Sequence, residues 1–225
     1  MIEQIKRAAE LNQRGASFLA AGNYESALPC IHEALETIAT ASHNPLLSFW
    51  EAPGRPDPLR MLPPSLLFLP DNQKDTTIRT IEDDANQFIY SKPFFFNPEA
   101  SFAQEEIISY GAIIIFNLAL IYHNKARTFG EEALITARRL YDNCLELLKH
   151  GSRFDCSNVI IALLNNRAAI HNELFEFRES CQNFKLLADL IGKSIVRTDT
   201  LDKGDLRDIF LNIHFYKIPT CAPCA

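Results

Sequence analysis

Apolar residues recur every three or four positions along the first forty residues, a spacing typical of helices that bury one face. The run breaks at Gly22-Asn23 and then resumes, which predicts two amphipathic helices joined by a short turn. The pattern returns at Ser101 and continues through two further helix pairs to Gly192. A last amphipathic segment spans residues 205–215. The pattern therefore predicts an all-α protein of three helical hairpins and a short C-terminal capping helix.

Two sequence positions carry helix-start signals. Ser101 is followed three residues later by Gln104, and Thr128 is followed three residues later by Glu131. In such a capping box each side chain pairs with the backbone N–H of the other residue. The spacing predicts helix starts at Ser101 and at Thr128.

Residues 43–100 interrupt the helical pattern. Nine of the twelve prolines lie between positions 45 and 98, which excludes a long helix there. Two stretches rich in Thr, Ile and aromatic residues, 76–82 and 87–96, flank a turn-like Asp-Asp-Ala-Asn and predict a small β-hairpin. The many large apolar side chains must be buried, either on the helical scaffold or as a lid across a groove, or else they dock a partner.

The first hairpin carries a recognisable motif. Residues 11–38 read LNQRGASFLAAGNYESALPCIHEALETI and resemble a tetratricopeptide repeat. In that family small residues stand where two helices cross closely and large residues fill the gaps. Gly15 occupies the small position, and Ala119 and Ala168 match it in two more divergent copies.

Three residues depart from the family pattern. Arg14 and Arg167 stand where Leu is usual, and Phe175 stands where Gly is common. The second copy also needs a six-residue insertion in the turn inside its hairpin. The resemblance implies one domain over residues 1–225. Its parts are repeat 1 (about 3–41), the insert (about 43–100), repeat 2 (about 101–149), repeat 3 (about 157–191), and a cap and tail (about 203–225).

In the family, the first helix of each hairpin lines a concave groove, and here that face is rich in side-chain amides. An amide offers both a donor and an acceptor, so it pairs with an extended peptide backbone whatever the peptide sequence. We predict a non-catalytic module that binds an extended or helical peptide. The alternative is a structural or regulatory subunit whose groove is filled by its own insert, with partners recruited through the insert or the convex face. The predicted groove residues are Asn12, Gln13, Phe116, Asn117, Leu120, His123, Asn124, Asn165, Asn166 and Asn172.

Repeat proteins of this family that grip chaperone C-terminal tails hold the terminal carboxylates with Lys and Arg. The corresponding positions here are Asn12, Ala16, Asn117, Ala162 and Asn166, and only Asn117 fits that pattern. Without cations the groove has little to hold paired carboxylates, so a chaperone-tail clamp is not expected.

Composition and charge narrow the function classes. The 225 residues carry a formal net charge of −6, whereas nucleic-acid binding needs clustered Lys and Arg. Neither a secretory signal nor an apolar run long enough to span a membrane was found, and the six cysteines suit a reducing compartment. We expect a protein of the cytoplasm or nucleus that meets a protein partner and neither nucleic acid nor membrane.

Candidate chemistry is sparse. Cys221 and Cys224 have CxxC spacing, but no helix follows to lower the pKa of the first thiol, so thiol redox chemistry is a distant alternative. His123 and His171 occupy related helix positions that would allow them to face each other across the groove, without the HExxH spacing of a metal site. We therefore expect no enzyme activity, no metal and no cofactor.

Overall fold

The computed structural model describes residues 1–42, 88–96, 104–150, 156–192 and 201–216. All regular structure in these ranges is α-helical. The first hairpin pairs α1 (Ile2–Ala20) with α2 (Tyr24–Ser42), and the second pairs α3 (Gln104–Phe129) with α4 (Glu131–His150). The third pairs α5 (Ser157–Glu173) with α6 (Phe177–Gly192), and α7 (Lys203–Tyr216) follows. The expected all-α class is confirmed for these residues.

The helices pack in chain order. Each hairpin is closed by contacts between its own two helices, and its second helix then packs on the first helix of the next unit: α2 on α3, α4 on α5, and α6 on α7. The first helices also touch one another, α1 with α3 and α3 with α5. This arrangement places the faces of α1, α3 and α5 side by side.

Small residues allow the helices to cross closely. A Cβ added at Gly15 of α1 would lie 2.5 Å from Cδ1 and 2.6 Å from Cγ1 of Ile31 in α2. Ala119 and Ala168, the matching residues of α3 and α5, are fully buried. The backbone oxygen of Ala168 accepts a hydrogen bond from the hydroxyl of Ser180 in α6, at 2.9 Å. A larger side chain at these positions would push the paired helices apart.

Helix α3 is buried on all sides. Every residue from 107 to 123 is buried, because α1, α2, α4 and α5 surround the helix and residues 88–96 cover the remaining face. By length and composition, residues Glu106–Ala126 also satisfy the criteria for a membrane span, contrary to the sequence-based expectation. Of that window, 94% is buried inside the protein, as in the central helix of a packed core.

The end of α3 corrects two predictions. The helix continues through Phe129 and stops at Gly130, so Thr128 lies inside it and does not cap α4. The six extra residues placed in the hairpin turn instead lengthen α3, and Gly130 alone separates α3 from α4. Ser101, most of the predicted β-hairpin and the CxxC pair lie outside the described residues. Residues 88–96 themselves form no β-bridge with any described residue.

The three hairpin turns share a left-handed backbone position. Gly22 has φ +74° and Gly130 has φ +73°, values that glycine adopts without steric strain. In the third hairpin the residue is Phe175, with φ +61° and 80% of its side chain exposed. Of the three residues that depart from the repeat pattern, Phe175 is the one held in a strained backbone conformation.

Contacts beside Phe175 hold this turn in place. The carboxylate of Glu176 accepts hydrogen bonds from Nη1 of Arg138 at 2.5 and 2.7 Å and lies 2.6 Å from Nδ1 of His171. The hydrogen bonds from Arg138, and to a smaller extent the one with His171, lower the pKa of Glu176. The second unusual arginine, Arg167, also bridges helices, because it donates to Asp142 of α4 and to Asn183 of α6, each at 2.6 Å.

We expect Phe175→Gly to raise the free energy of unfolding by about 0.5–1 kcal/mol. Relief of the left-handed strain outweighs the extra freedom that glycine has in the unfolded chain. The matched control is Gly22→Ala, which should lower the free energy by roughly 1 kcal/mol through the backbone alone, since an added Cβ meets nothing within 4 Å. Urea unfolding measures both. A less stable Phe175→Gly chain would show that the exposed ring contributes contacts that outweigh the strain.

Candidate functional site

An extended stretch of the insert lies against the face where the first helices meet. This groove segment comprises residues 88–96, and its backbone hydrogen bonds go to side-chain amides of the helices. Within the described residues it makes no ladder with another backbone. The predicted groove is therefore occupied by the chain itself.

Asn117 and Asn166 each hold one residue of the groove segment by both of its backbone groups. The Oδ1 atom of Asn117 accepts from the N–H of Phe94 at 2.9 Å, and its Nδ2 donates to the Phe94 carbonyl at 2.8 Å. Asn166 makes the same pair of bonds with Tyr90, at 2.7 and 2.8 Å. Each amide thus replaces the partner residue of a doubly hydrogen-bonded antiparallel β pair.

Asn212 of α7 forms a third such pair. Its Oδ1 accepts from the N–H of Phe88 at 3.1 Å, and its Nδ2 donates to the Phe88 carbonyl at 2.7 Å. We call Asn117, Asn166 and Asn212 the amide clamps. In an extended chain the N–H and C=O of one residue point to the same side and alternate along the chain, so the clamps hold only even-numbered residues.

A second amide supports the clamps at each end of the groove segment. Asn165 donates to the Phe88 carbonyl at 3.1 Å and accepts from Asn212 at 2.8 Å. Its other amide hydrogen goes to Oδ1 of Asn166 at 3.2 Å. All these amides are buried, so each would leave unpaired polar atoms in the interior if the groove segment left without replacement.

At the other end, Asn12 of α1 supports Asn117. It accepts from Nδ2 of Asn117 at 2.9 Å and donates to the Phe94 carbonyl at 3.3 Å. The Phe94 oxygen therefore accepts from two amides, which uses both of its lone pairs.

Aromatic rings form the floor under the clamps. Tyr90 and Phe94 stack at 5.4 Å, and both meet Phe116 of α3 edge-on, at 6.5 and 5.1 Å between ring centroids. Phe96 stacks on Tyr110 at 4.4 Å. Tyr90 and Phe96 are buried and Phe94 is half-buried, and all three are even-numbered residues of the groove segment, in agreement with the alternation imposed by the clamps.

Two odd-numbered positions of the groove segment face outward, and one even-numbered residue carries charge. Ser91 is exposed, and 52% of Phe95 is exposed. Lys92 reaches the start of α7, where its Nζ lies 2.6 Å from Oδ2 of Asp205 and 3.7 Å from Oδ2 of Asp202. The hydrogen bond with Asp205 raises the pKa of Lys92.

Half of the predicted groove residues contact the groove segment. Asn12, Phe116, Asn117, Asn165 and Asn166 do so, as described above. Leu120 is fully buried in the core, whereas Gln13 is exposed and Asn124 and Asn172 are half-buried.

The two histidines have different neighbours. His171 pairs with Glu176, whereas His123 is buried with its Nε2 atom 3.8 Å from Oε1 of Glu173. Neither ring nitrogen of His123 has a hydrogen-bond partner among the described residues. The described part of the chain holds no group of three His, Cys, Asp or Glu residues arranged for a metal.

Sequence reasoning missed Asn212 and the acidic start of α7. Asn212 stands between Leu211 and Ile213, and a buried amide among apolar neighbours on a short helix was the available signal. The sequence pattern predicts only a cap at residues 205–215, and the contribution of this segment to the groove depends on the packing of α7 against α6.

Comparison of the chain with protein-family models, with curated proteins and with solved structures gave no match.

Replacing Asn166 with Ala should lower the free energy of unfolding by about 3 kcal/mol, because both backbone groups of Tyr90 lose a buried partner. The matched control is Asn172→Ala on the same helix, expected to change stability by less than about 0.5 kcal/mol. In the part of the chain described, the Asn172 side chain makes no hydrogen bond. Equal effects of the two substitutions in urea unfolding would contradict the assigned role of the clamp.

The phenol of Tyr90 gives a pH-dependent prediction. Burial raises its pKa to about 12, and the charges of Asp205 and Asp202 add to the rise. The folded state thus favours the neutral phenol, so this contribution is fully present below the ordinary pKa of about 10 and is lost as the pH rises through about 12.

We expect stability to fall more steeply between pH 10 and 12 in the wild-type chain than in Tyr90→Phe, which has no phenol to ionise at this position. Unfolding free energies measured across this range test the difference. Tyr110 and Tyr141 are present in both chains, so their titration cancels. Parallel pH profiles would show that Tyr90 does not ionise on unfolding in this window.

Proposed function

We propose that this protein is a non-catalytic interaction module of the tetratricopeptide-like class. It forms a single domain and works in the cytoplasm or nucleus. Its groove binds an extended peptide by the backbone, and the groove segment occupies that site as an intramolecular ligand. The observation that carries the proposal is that three amide clamps each make both hydrogen bonds with a single backbone residue. The hairpin packing, the small residues at the crossings and the left-handed turns support the class.

The chemistry of the clamps favours exchange of one peptide for another. An amide recognises the N–H and C=O that every non-proline residue carries, so an incoming extended chain can satisfy the same atoms. The displaced segment regains hydrogen bonds with water while the incoming chain gives them up. The hydrogen-bond balance of the exchange is therefore close to neutral.

The intramolecular ligand has a concentration advantage. The groove segment is joined to α3 by residues 97–103 alone, and a short tether corresponds to an effective concentration of about 1 mM or more. A free peptide of equal intrinsic affinity therefore competes poorly at micromolar concentration. A partner gains access where the groove segment is released or where its own peptide is held nearby.

The second candidate function is that of a structural subunit in which the groove segment is a permanent part of the core. Tyr90 and Phe96 belong to the same buried apolar cluster as the helices, which favours this reading. Partners would then use another surface. Phe175 and Phe177, which are 80% and 56% exposed and in edge contact at 6.0 Å, form such a surface at the third turn.

One pair of variants separates the two candidates. Tyr90→Pro with Phe94→Pro removes the N–H groups that donate to Asn166 and Asn117, together with two rings of the floor, and it substitutes no residue of a helix; we call this the opened chain. The matched control is Ser91→Pro with Phe95→Pro, whose backbone N–H groups make no hydrogen bond to the described residues. Both variants add two prolines to the same extended stretch.

The probe is a synthetic peptide with the sequence of residues 88–96 and a soluble fluorescent tag, titrated by fluorescence anisotropy. The opened chain should stay helical by circular dichroism and bind the peptide at least about 100-fold more tightly than the wild-type or control chain. Loss of helical structure in the opened chain alone would favour the structural subunit. A folded opened chain that binds no peptide would sink the proposal of a peptide groove.

A further inference from the structure

We propose that the groove selects extended segments with a Lys or Arg at the fifth position and aromatic residues at the third, seventh and ninth positions. This inference rests on the proposed function and specifies its ligand. Position one is the residue held by Asn212, which in this chain is Phe88. The partner is thus a protein with an exposed, extended, basic and aromatic segment.

The clamps set the ligand register. They hold positions one, three and seven, and two of them also set the spacing between Tyr90 and Phe94. A one-residue slip would present the wrong backbone edge to every clamp and would turn the side chains away from the floor. Because the register is fixed in this way, ligand positions one, three, five, seven and nine, which are the even-numbered residues 88 to 96 of this chain, each meet a defined part of the scaffold.

The third, seventh and ninth positions meet aromatic surface. The side chains at positions three and seven lie on Phe116, and the side chain at position nine stacks on Tyr110. Ring pairs with these geometries add to the effect of burial. Positions four and eight, occupied by Ser91 and Phe95, are exposed and so impose no choice.

The fifth position meets an acidic site at the start of α7. Asp205 lies in the first turn of α7, where the helix dipole favours its charge, and its side chain is only 13% exposed. Asp202 accepts from the N–H of Gly204 at 2.7 Å, which is the main cause of its lowered pKa. The two carboxylates lie 2.6 and 3.7 Å from Nζ of Lys92, so this site attracts a cation and repels an acidic side chain.

Helix α7 couples charge recognition to register. Asn212 holds position one, and Asp205 on the same helix holds the cation at position five. A ligand whose basic residue lies two positions before or after the fifth would lose either the ion pair with Asp205 or the pair of bonds with Asn212. The spacing between the basic residue and the flanking aromatic residues is thus part of the recognised pattern.

The test uses the opened chain and variants of the 88–96 peptide. Lys→Glu at the fifth position should weaken binding about tenfold, whereas Lys→Arg should change it less than about twofold. Asp205→Lys in the opened chain should reverse the preference, so that the Glu peptide becomes the tighter ligand. A matched pair tests the floor: Phe→Ala at position nine should weaken binding about tenfold, and Phe→Ala at position eight less than about twofold.

The outcomes separate the two proposals. Equal binding of the Lys and Glu peptides would overturn the proposed specificity and leave the peptide groove intact. Failure of every peptide to bind a folded opened chain would overturn both. If the opened chain unfolds, the intact chain supplies the test: Lys92→Glu should lower the midpoint of thermal unfolding, and adding Asp205→Lys should restore part of the loss. An added loss in place of recovery would overturn the preference for a cation.

Discussion

The pairing of buried amides with the backbone of the groove segment is the interaction on which the described structure depends. Five of the buried asparagines, Asn12, Asn117, Asn165, Asn166 and Asn212, line the groove, where unpaired polar atoms are costly and where the groove segment supplies their backbone partners. An extended chain, with free N–H and C=O groups at every second residue on one edge, solves this problem. The groove is therefore stable when occupied and costly when empty.

This constraint explains the architecture around the segment. Helix α3 is buried on every face over residues 107–123 because the groove segment covers the one side that its neighbouring helices leave open. Helix α7 closes the far end of the groove and supplies Asn212 and Asp205. The contacts of the groove segment thus divide into amide bonds to its backbone, which any non-proline residue can make, and ring contacts that depend on its side chains.

Much of the helical scaffold could be predicted from the sequence. The three- and four-residue periodicity located the hairpins, and the small residue Gly15 marked a close crossing that the packing against Ile31 confirms. Local signals failed where tertiary packing overrode them: Thr128 resembles a helix cap but is absorbed into a helix that continues to Phe129. Asn172 and Asn124 share the projected face with Asn166, yet they are only half-buried, whereas Asn166 is fully buried.

The sequence by itself determined which residue types face the groove, because amphipathic periodicity and repeat spacing are local properties of the chain. It also placed the insert after the first hairpin. Only the tertiary structure decided that residues 88–96 occupy the groove, in which register they lie, and that Asn212 and Asp205 complete it. Those contacts join residues from 23 to 124 positions apart, the longest being between Phe88 and Asn212, and their geometry depends on how the seven described helices stack. No local pattern encodes that distance.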